Sequence, residues 1–155
     1  AADALIVPIS MDRASVNSFK LTLEMLDDPN MDFNRLNTQA GLTLQPKIHA
    51  VAMTHCGWSR QTKNKNKPDN TTKFFIEEAY SIAQKYSHIF TENEISKCFY
   101  ILDDFHSSGR ISGQQRTPLS KLKAGQKFMV DGKRLEVNPS ITRYQNQIKN
   151  LCDAL

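Results

Sequence analysis

The chain alternates continuous apolar runs with amphipathic stripes, and this alternation restricts its fold more than any other feature. Three runs are apolar on both faces, as in strands buried on both sides of a sheet, and predict strands near 4–9, 48–54 and 98–102. Apolar residues spaced three and four apart follow each run and predict helices near 15–27, 72–87 and 139–153. Because strands that alternate with helices require parallel crossovers, we predict a single α/β domain over 1–155, a parallel sheet with flanking helices.

The segments outside this pattern predict one hairpin and two loops. Gly125–Val137 predicts a β-hairpin with Asp131-Gly132 as its tight turn. Residues 30–46 have no clear period and residues 60–70 alternate Lys with Asn, so both are predicted to be loops or insertions. Three strands are few for such a sheet, and the chain does not begin with Met. We therefore expect further strands on the N-terminal side in a longer protein.

Few side chains suggest metal or covalent chemistry. His49, His55 and Cys56 lie close together, but no second Cys/His pair at zinc spacing follows them. Cys98 and Cys152 lie among apolar neighbours and are predicted to be small buried residues. Three cysteines without paired spacing favour a reducing cytoplasm over a disulfide framework. No apolar run approaches the roughly 20 residues of a membrane helix.

Positive charge is concentrated towards the C-terminus. Residues 1–78 carry nine basic and nine acidic residues and sum to zero, whereas residues 105–149 carry nine basic and two acidic residues and sum to +7. Such a segment can neutralise phosphates and release their counterions. By composition alone, a lysine-rich solvated surface is an equally good interpretation. Within it, Ser107–Leu119 holds two glycines, several hydroxyls and two arginines, and favours a flexible connection over a phosphate-contacting loop.

One apolar run ends in acidic residues. Phe99–Asp104 resembles a magnesium-binding Walker B strand, whose end places a carboxylate next to the metal of a nucleotide. The chain has no G-x-x-x-x-G-K-[ST] loop to hold the phosphates, so a metal role is the less favoured interpretation. The end of this strand still faces a possible ligand, because sheets of this class bind ligands at the carboxyl edge.

Taken in order, these pieces resemble the C-terminal half of the ParA/MinD-like partition ATPases, which carry a deviant Walker P-loop. Residues 2–9 (ADALIVPI) resemble the family's strand beyond the Walker B region, and Ile48–Thr54 followed by Arg60 resembles the strand that ends near the adenine. Phe99–Asp104 resembles the strand that leads to a second adenine-side loop. Gly113–Leu119 is similar to the family's G-x-P-hydrophobic segment.

The resemblance implies the C-terminal part of a three-layer P-loop NTPase-like fold and a plasmid or chromosome partition protein. Such proteins bind ATP and Mg, form a homodimer around ATP, bind DNA non-specifically and respond to a centromere-binding partner protein. They are cytoplasmic, nucleoid-associated and not membrane-bound. The family's phosphate loop, catalytic lysines and magnesium-binding Asp would lie upstream of this sequence. ATPase activity is therefore expected only when the chain is joined to that upstream half.

The resemblance also implies positions for the functional residues. It indicates nucleotide-binding residues at Thr54, His55, Asp103 and Asp104. It indicates DNA-contacting residues at Lys85 and Arg110, to which the basic segment adds Arg116, Lys121, Lys123, Lys127, Lys133 and Arg134. The alternative is a stand-alone α/β interaction or adaptor module that has the sheet but binds no nucleotide. If the upstream coding sequence encodes a Gly-rich loop with two lysines, the ATPase interpretation is favoured over the adaptor.

Overall fold

The computed structural model describes four stretches of the chain, residues 4–41, 47–58, 67–103 and 107–154. The chain forms two compact units, unit 1 (Ala1–Ile101) and unit 2 (Leu102–Leu155). Asp104 lies outside the described residues, and so do residues 42–46 and 60–66 of the two predicted loops.

Unit 1 contains the parallel sheet. Its α-helices and strands in chain order are β1 (Ala4–Ser10), α1 (Arg13–Asp27), α2 (Asp32–Gln39), β2 (Lys47–Cys56), α3 (Asn70–Gln84) and β3 (Phe99–Asp103), whose last two residues belong to unit 2. Short 3-10 helices at Ser87–Ile89 and Ile95–Cys98 lie between α3 and β3. The strand order is β1-β2-β3. β1 pairs in parallel with β2, from Ala4 opposite Lys47 to Ser10 opposite Thr54. The predicted α/β class, with a parallel sheet and flanking helices, is confirmed.

The core of unit 1 joins α1 and α3 to the sheet. The apolar stripes that predict the two helices supply its buried side chains, because residues three and four apart share one face of a helix. Central members of this cluster are Phe19 and Leu23 of α1, Ala79 and Ala83 of α3, and Val51 and Met53 of β2. The packing holds the carboxyl ends of β1 and β2 at a common edge.

Residues 32–39 form a helix where we predict a loop, so that prediction is wrong. Among the described side chains of α2, only that of Asn34 is buried. Its amide donates to the carbonyl of Leu26 at 3.1 Å and to that of Asp28 at 2.7 Å. The sequence shows no apolar period here because a polar side chain attaches this helix to the end of α1.

Two helices begin before their predicted first residues because aspartates cap them. Asp12 precedes α1 and accepts a hydrogen bond from the backbone N–H of Ser15 at 2.8 Å. Asp69 precedes α3 and accepts from the backbone N–H of Thr72 at 2.8 Å. Each carboxylate satisfies a donor that the first turn of a helix leaves unpaired.

Among its described residues, unit 2 contains two α-helices, a hairpin and a short 3-10 helix over Leu119–Lys121. The α-helices and the hairpin strands are α4 (Ser107–Gln115), β4 (Lys127–Val130), β5 (Lys133–Glu136) and α5 (Ile141–Asp153). Its core is a separate apolar cluster, formed by Ile111, Leu122, Val130, Val137 and Ile141.

The segment 107–119 contains a helix, which corrects the prediction of a flexible connection. α4 covers its first nine residues, although two glycines and several serines give it low helix propensity. Ile111 is fully buried in the unit 2 core. Tertiary burial of this side chain outweighs the local preference.

The predicted hairpin is confirmed. β4 and β5 pair antiparallel, from Lys127 opposite Glu136 to Val130 opposite Lys133. The turn residue Asp131 has φ 50° and Gly132 has φ 72°. A two-residue turn of type I′ requires positive φ at both central positions, which is why this dipeptide predicts it.

Near the C-terminus two details differ from the predictions. α5 begins at Ile141 rather than at 139, after a turn in which the Asn138 side chain accepts from the backbone N–H of Ser140 at 2.9 Å. Cys98 is buried as predicted, but Cys152 is exposed. Adjacent residues on a helix point in different directions, and in this turn Leu151 is the buried one.

Every helix among the described residues is too short or too polar to span a bilayer.

Candidate functional site at the carboxyl edge of the sheet

Three polar side chains meet where β1 and β2 end. Ser10 is the last residue of β1 and lies opposite Thr54, and His55 follows Thr54. Ser10 Oγ lies 3.2 Å from His55 Nδ1 and 3.5 Å from Thr54 Oγ1. Thr54 donates its hydroxyl proton to the carbonyl of Ile9 at 3.2 Å. The structure therefore joins two predicted nucleotide-binding residues, Thr54 and His55, to a serine.

His55 adopts a strained backbone conformation. Its φ is 55°, in the left-handed region that costs a residue with a side chain about 1–2 kcal/mol. The side chain is exposed, so apolar packing does not account for the strain. Strained residues that persist in folded proteins cluster at ligand sites. The conformation singles out His55 as the candidate ligand-contacting residue of this edge.

The N-terminus of α1 lies beside the same edge and is already capped. Hydrogen bonds from the Ser15 backbone N–H and the Ser15 hydroxyl hold the pKa of Asp12 below its ordinary value. The charge of His55 adds a weaker effect in the same direction. The ionised carboxylate occupies the positive end of the helix, and a phosphate there would meet like charge. This edge suits a neutral hydrogen-bonding group better than an anion.

A clamp of backbone contacts follows β2. The Gly57 N–H donates to the Thr72 hydroxyl at 2.8 Å, and the Asp69 N–H donates to the Gly57 carbonyl at 3.0 Å. Trp58 and Pro68 form an isolated antiparallel bridge. These contacts join the end of β2 to the start of α3 and hold together the two ends of the Lys/Asn-rich segment.

Asp103, in unit 2, is buried rather than open to solvent. Its side chain is 3% exposed and accepts a hydrogen bond from the Arg143 guanidinium at 3.1 Å. Its backbone N–H donates to the Gln147 side chain at 2.6 Å. In the structure the carboxylate of Asp103 holds α5, and its contact with nucleotide stays a prediction. Asp104, the fourth predicted residue, lies outside the described residues.

The predicted DNA-binding residues are all at the surface. Lys85 is exposed at the C-terminal end of α3 in unit 1. The other seven are exposed in unit 2: Arg110, Arg116, Lys121, Lys123, Lys127, Lys133 and Arg134. Arg110 forms an ion pair with Asp131, and Lys127 lies 3.6 Å from Glu136. Because these cations already lie at the surface, they can contact a polyanion directly.

The histidines and cysteines form no metal site in the part of the chain that the structure describes. No group of three or more His, Cys, Asp or Glu side chains there could hold a metal ion. Cys56 is buried and its Sγ donates to the carbonyl of Met53 at 3.3 Å. It therefore belongs to the core of unit 1.

Two residues of these sites were missed by the sequence reasoning. Ser10 directly follows an apolar run, as Asp103 does, and that same signal could have identified it. Arg143 lies forty positions beyond Asp103, and nothing local to either residue connects them.

No protein-family model, curated protein or solved structure matches the chain.

Proposed function

We propose that the chain is the C-terminal portion of a ParA-like partition ATPase. In this proposal its sheet edge supplies the adenine side of an ATP site, and its basic surface binds DNA without sequence preference. The observation that carries the proposal is the cluster of Ser10, Thr54 and strained His55 at the carboxyl edge of a parallel sheet. ATPase chemistry would require the upstream phosphate loop, and Mg²⁺ would be bound with the phosphates.

The cluster suits a nucleobase better than a phosphate. The hydroxyl of Ser10 and the imidazole of His55 can donate to, and accept from, a heterocycle, and the Thr54 oxygen, whose proton is donated to the Ile9 carbonyl, can accept from it. Asp12 already neutralises the positive end of α1 with a carboxylate whose pKa is lowered. This distribution of charge agrees with a site that binds the adenine of ATP while another segment of the protein binds the phosphates.

The charge of the exposed residues supports the DNA-binding half of the proposal. The cations of unit 2 lie on α4, on the connection that follows it and on both hairpin strands. Contacts from Lys and Arg to phosphates fix no base identity, so binding through them is insensitive to sequence.

The adaptor module remains the second candidate, favoured by a different surface of unit 1. Leu21 and Met25 of α1 are 58% and 53% exposed, and Ile6 of β1 is 47% exposed. An uncharged groove of about 220 Å³ runs between β1 and α1. Exposed large apolar side chains and an uncharged groove in the same unit favour protein–protein contact.

A DNA titration in varied salt tests the proposal. We expect the complete protein to bind unrelated duplexes equally, with affinity that falls steeply as salt rises and increases with ATP. The variant Lys121→Ala/Lys123→Ala should flatten the slope of log affinity against log salt by about 1.8, at about 0.9 for each phosphate contact. The measurement is fluorescence polarisation at several salt concentrations.

The matched control removes two lysines from unit 1. Lys20 and Lys97 are exposed and lie 3.6 Å and 3.2 Å from Glu24 and Glu94. Replacing both by Ala changes the net charge equally but should leave the slope unchanged. An affinity independent of salt and of ATP would contradict the ATPase proposal and favour the adaptor.

A further inference from the structure

We propose that the hairpin β4–β5 is the element that enters DNA, with its outward face in the major groove of the duplex. The inference rests on the DNA-binding half of the proposed function and goes beyond it by naming the contacting element and the groove. The register of the hairpin assigns its side chains to two faces. Phe128, Val130 and Leu135 belong to the unit 2 core or pack against it. The opposite face is solvent-exposed.

The outward face combines cations with one apolar side chain. Lys127 lies opposite Glu136, and Met129 lies opposite Arg134. All four are exposed, and Met129, at 63%, is more exposed than Leu21 and Leu36, which are each 58% exposed. Lys133 is exposed at the end of β5 next to the turn but lies opposite Val130, so it belongs to the other face of the hairpin. An exposed apolar group that lies directly opposite a cation, rather than among other apolar groups, indicates a polyanionic partner.

Both acidic residues of the hairpin are compensated by cations. Arg110 of α4 pairs with Asp131 in the turn, and Lys127 pairs with Glu136 across the strands. The side chain of Gln115 donates to the carbonyl of Met129 at 3.2 Å, which holds the end of α4 and the exposed Arg116 beside β4. The positive potential around Met129 is therefore reinforced from a second element.

The dimensions of the hairpin suit the major groove. Paired strands lie about 4.8 Å apart, and a two-stranded ribbon fits the major groove, which is about 12 Å wide. In that position Arg134 reaches a phosphate at the groove wall, and Met129 lies over base edges. The thioether has no hydrogen-bond donor, so it adds contact area without selecting a base. This accounts for affinity without sequence preference.

Three variants that each change the net charge by the same amount test the assignment. Met129→Glu and Arg134→Gln alter the outward face, and Lys149→Gln alters an exposed position on α5. We expect the first two to weaken duplex binding about tenfold, because Arg134→Gln removes a phosphate contact and Met129→Glu places a negative charge in the groove. Lys149→Gln should have less than a twofold effect, because it lowers only the total charge. Met129→Leu should retain binding. The assay is polarisation with two unrelated duplexes, and far-UV circular dichroism verifies folding.

The outcomes separate this inference from the proposed function. If the protein binds duplexes and all three charge variants weaken binding equally, the hairpin assignment is wrong but DNA binding stands. If the unaltered protein binds no duplex, both fail. If the protein binds anionic lipid vesicles more tightly than duplexes, the partner of the hairpin is a membrane surface and not DNA. Saturating an A·T-rich duplex with a minor-groove ligand should leave the affinity unchanged, and a large loss would overturn the choice of groove.

Discussion

At the scale of single residues, Gly57 shows how closely the backbone is packed beside the sheet edge. A Cβ placed on Gly57 would lie 2.2 Å from Oδ2 of Asp69. The Asp69 side chain cannot move away without cost, because its other oxygen caps α3 through the Thr72 N–H. Glycine is therefore required here for the close approach of two segments.

Replacing Gly57 by alanine should destabilise unit 1 by about 1–3 kcal/mol, the usual cost of forcing extra atoms into a packed site. Gly113 in α4 is the matched control, since a Cβ there meets nothing within 4 Å. Gly113→Ala should be neutral or stabilise α4 by up to about 1 kcal/mol through helix propensity. Urea unfolding measures the first effect through the fluorescence of Trp58, the single tryptophan, and circular dichroism measures the second. Equal stability of Gly57→Ala and the unaltered protein would contradict the packing argument.

At the scale of elements, the predictions succeed where an apolar stripe or a turn dipeptide carries the signal. α1, α3 and α5 follow stripes, and Asp131-Gly132 predicts the hairpin through its backbone conformation. α2 and α4 were missed because neither has an extended apolar stripe. α2 is attached through Asn34, and α4 through Ile111 and its neighbours in the unit 2 core.

Replacing Asn34 by leucine should loosen α2. The carbonyls of Leu26 and Asp28 would lose their side-chain donor, at a cost of about 1–3 kcal/mol for buried groups. Arg35→Gln on the same helix serves as the control and should change stability by no more than about 0.5 kcal/mol, because Arg35 is exposed. Urea unfolding followed through Trp58 reports both. If Asn34→Leu behaves like Arg35→Gln, the side chain does not hold the helix.

At the scale of the whole molecule, the residues that the structure describes form two apolar cores. The cluster of unit 1 and that of unit 2 consist of different residues. In unit 2 the buried carboxylate of Asp103 connects the end of β3 to α5 through Arg143 and Gln147. A small unit buries a limited fraction of its surface, so loss of one such contact is a large part of its stability.

Arg143→Met should destabilise unit 2 by about 3–5 kcal/mol, because it removes the cation from a buried carboxylate. Hydrogen exchange should then accelerate at the amides of α4, β4 and α5, while α1 and α3 keep their protection. Lys149→Met is the control, since Lys149 is exposed on the same helix. Unchanged exchange in α4 and α5 would show that the Asp103–Arg143 contact does not stabilise the unit.

The sequence by itself determined the α/β class, the parallel sheet, the three striped helices and the hairpin. Each of these follows from local chemistry, because apolar periodicity selects helix or strand and a parallel sheet brings its carboxyl ends to one edge. These features need no knowledge of distant residues.

Only the tertiary structure decided which side chains meet across long sequence separations. It brought Ser10 to His55, Arg143 to Asp103, and Gln115 to the carbonyl of Met129. It also decided that segment 107–115 is helical. These contacts depend on how elements pack, and packing is set by the combined burial of many residues rather than by a pattern within any one segment.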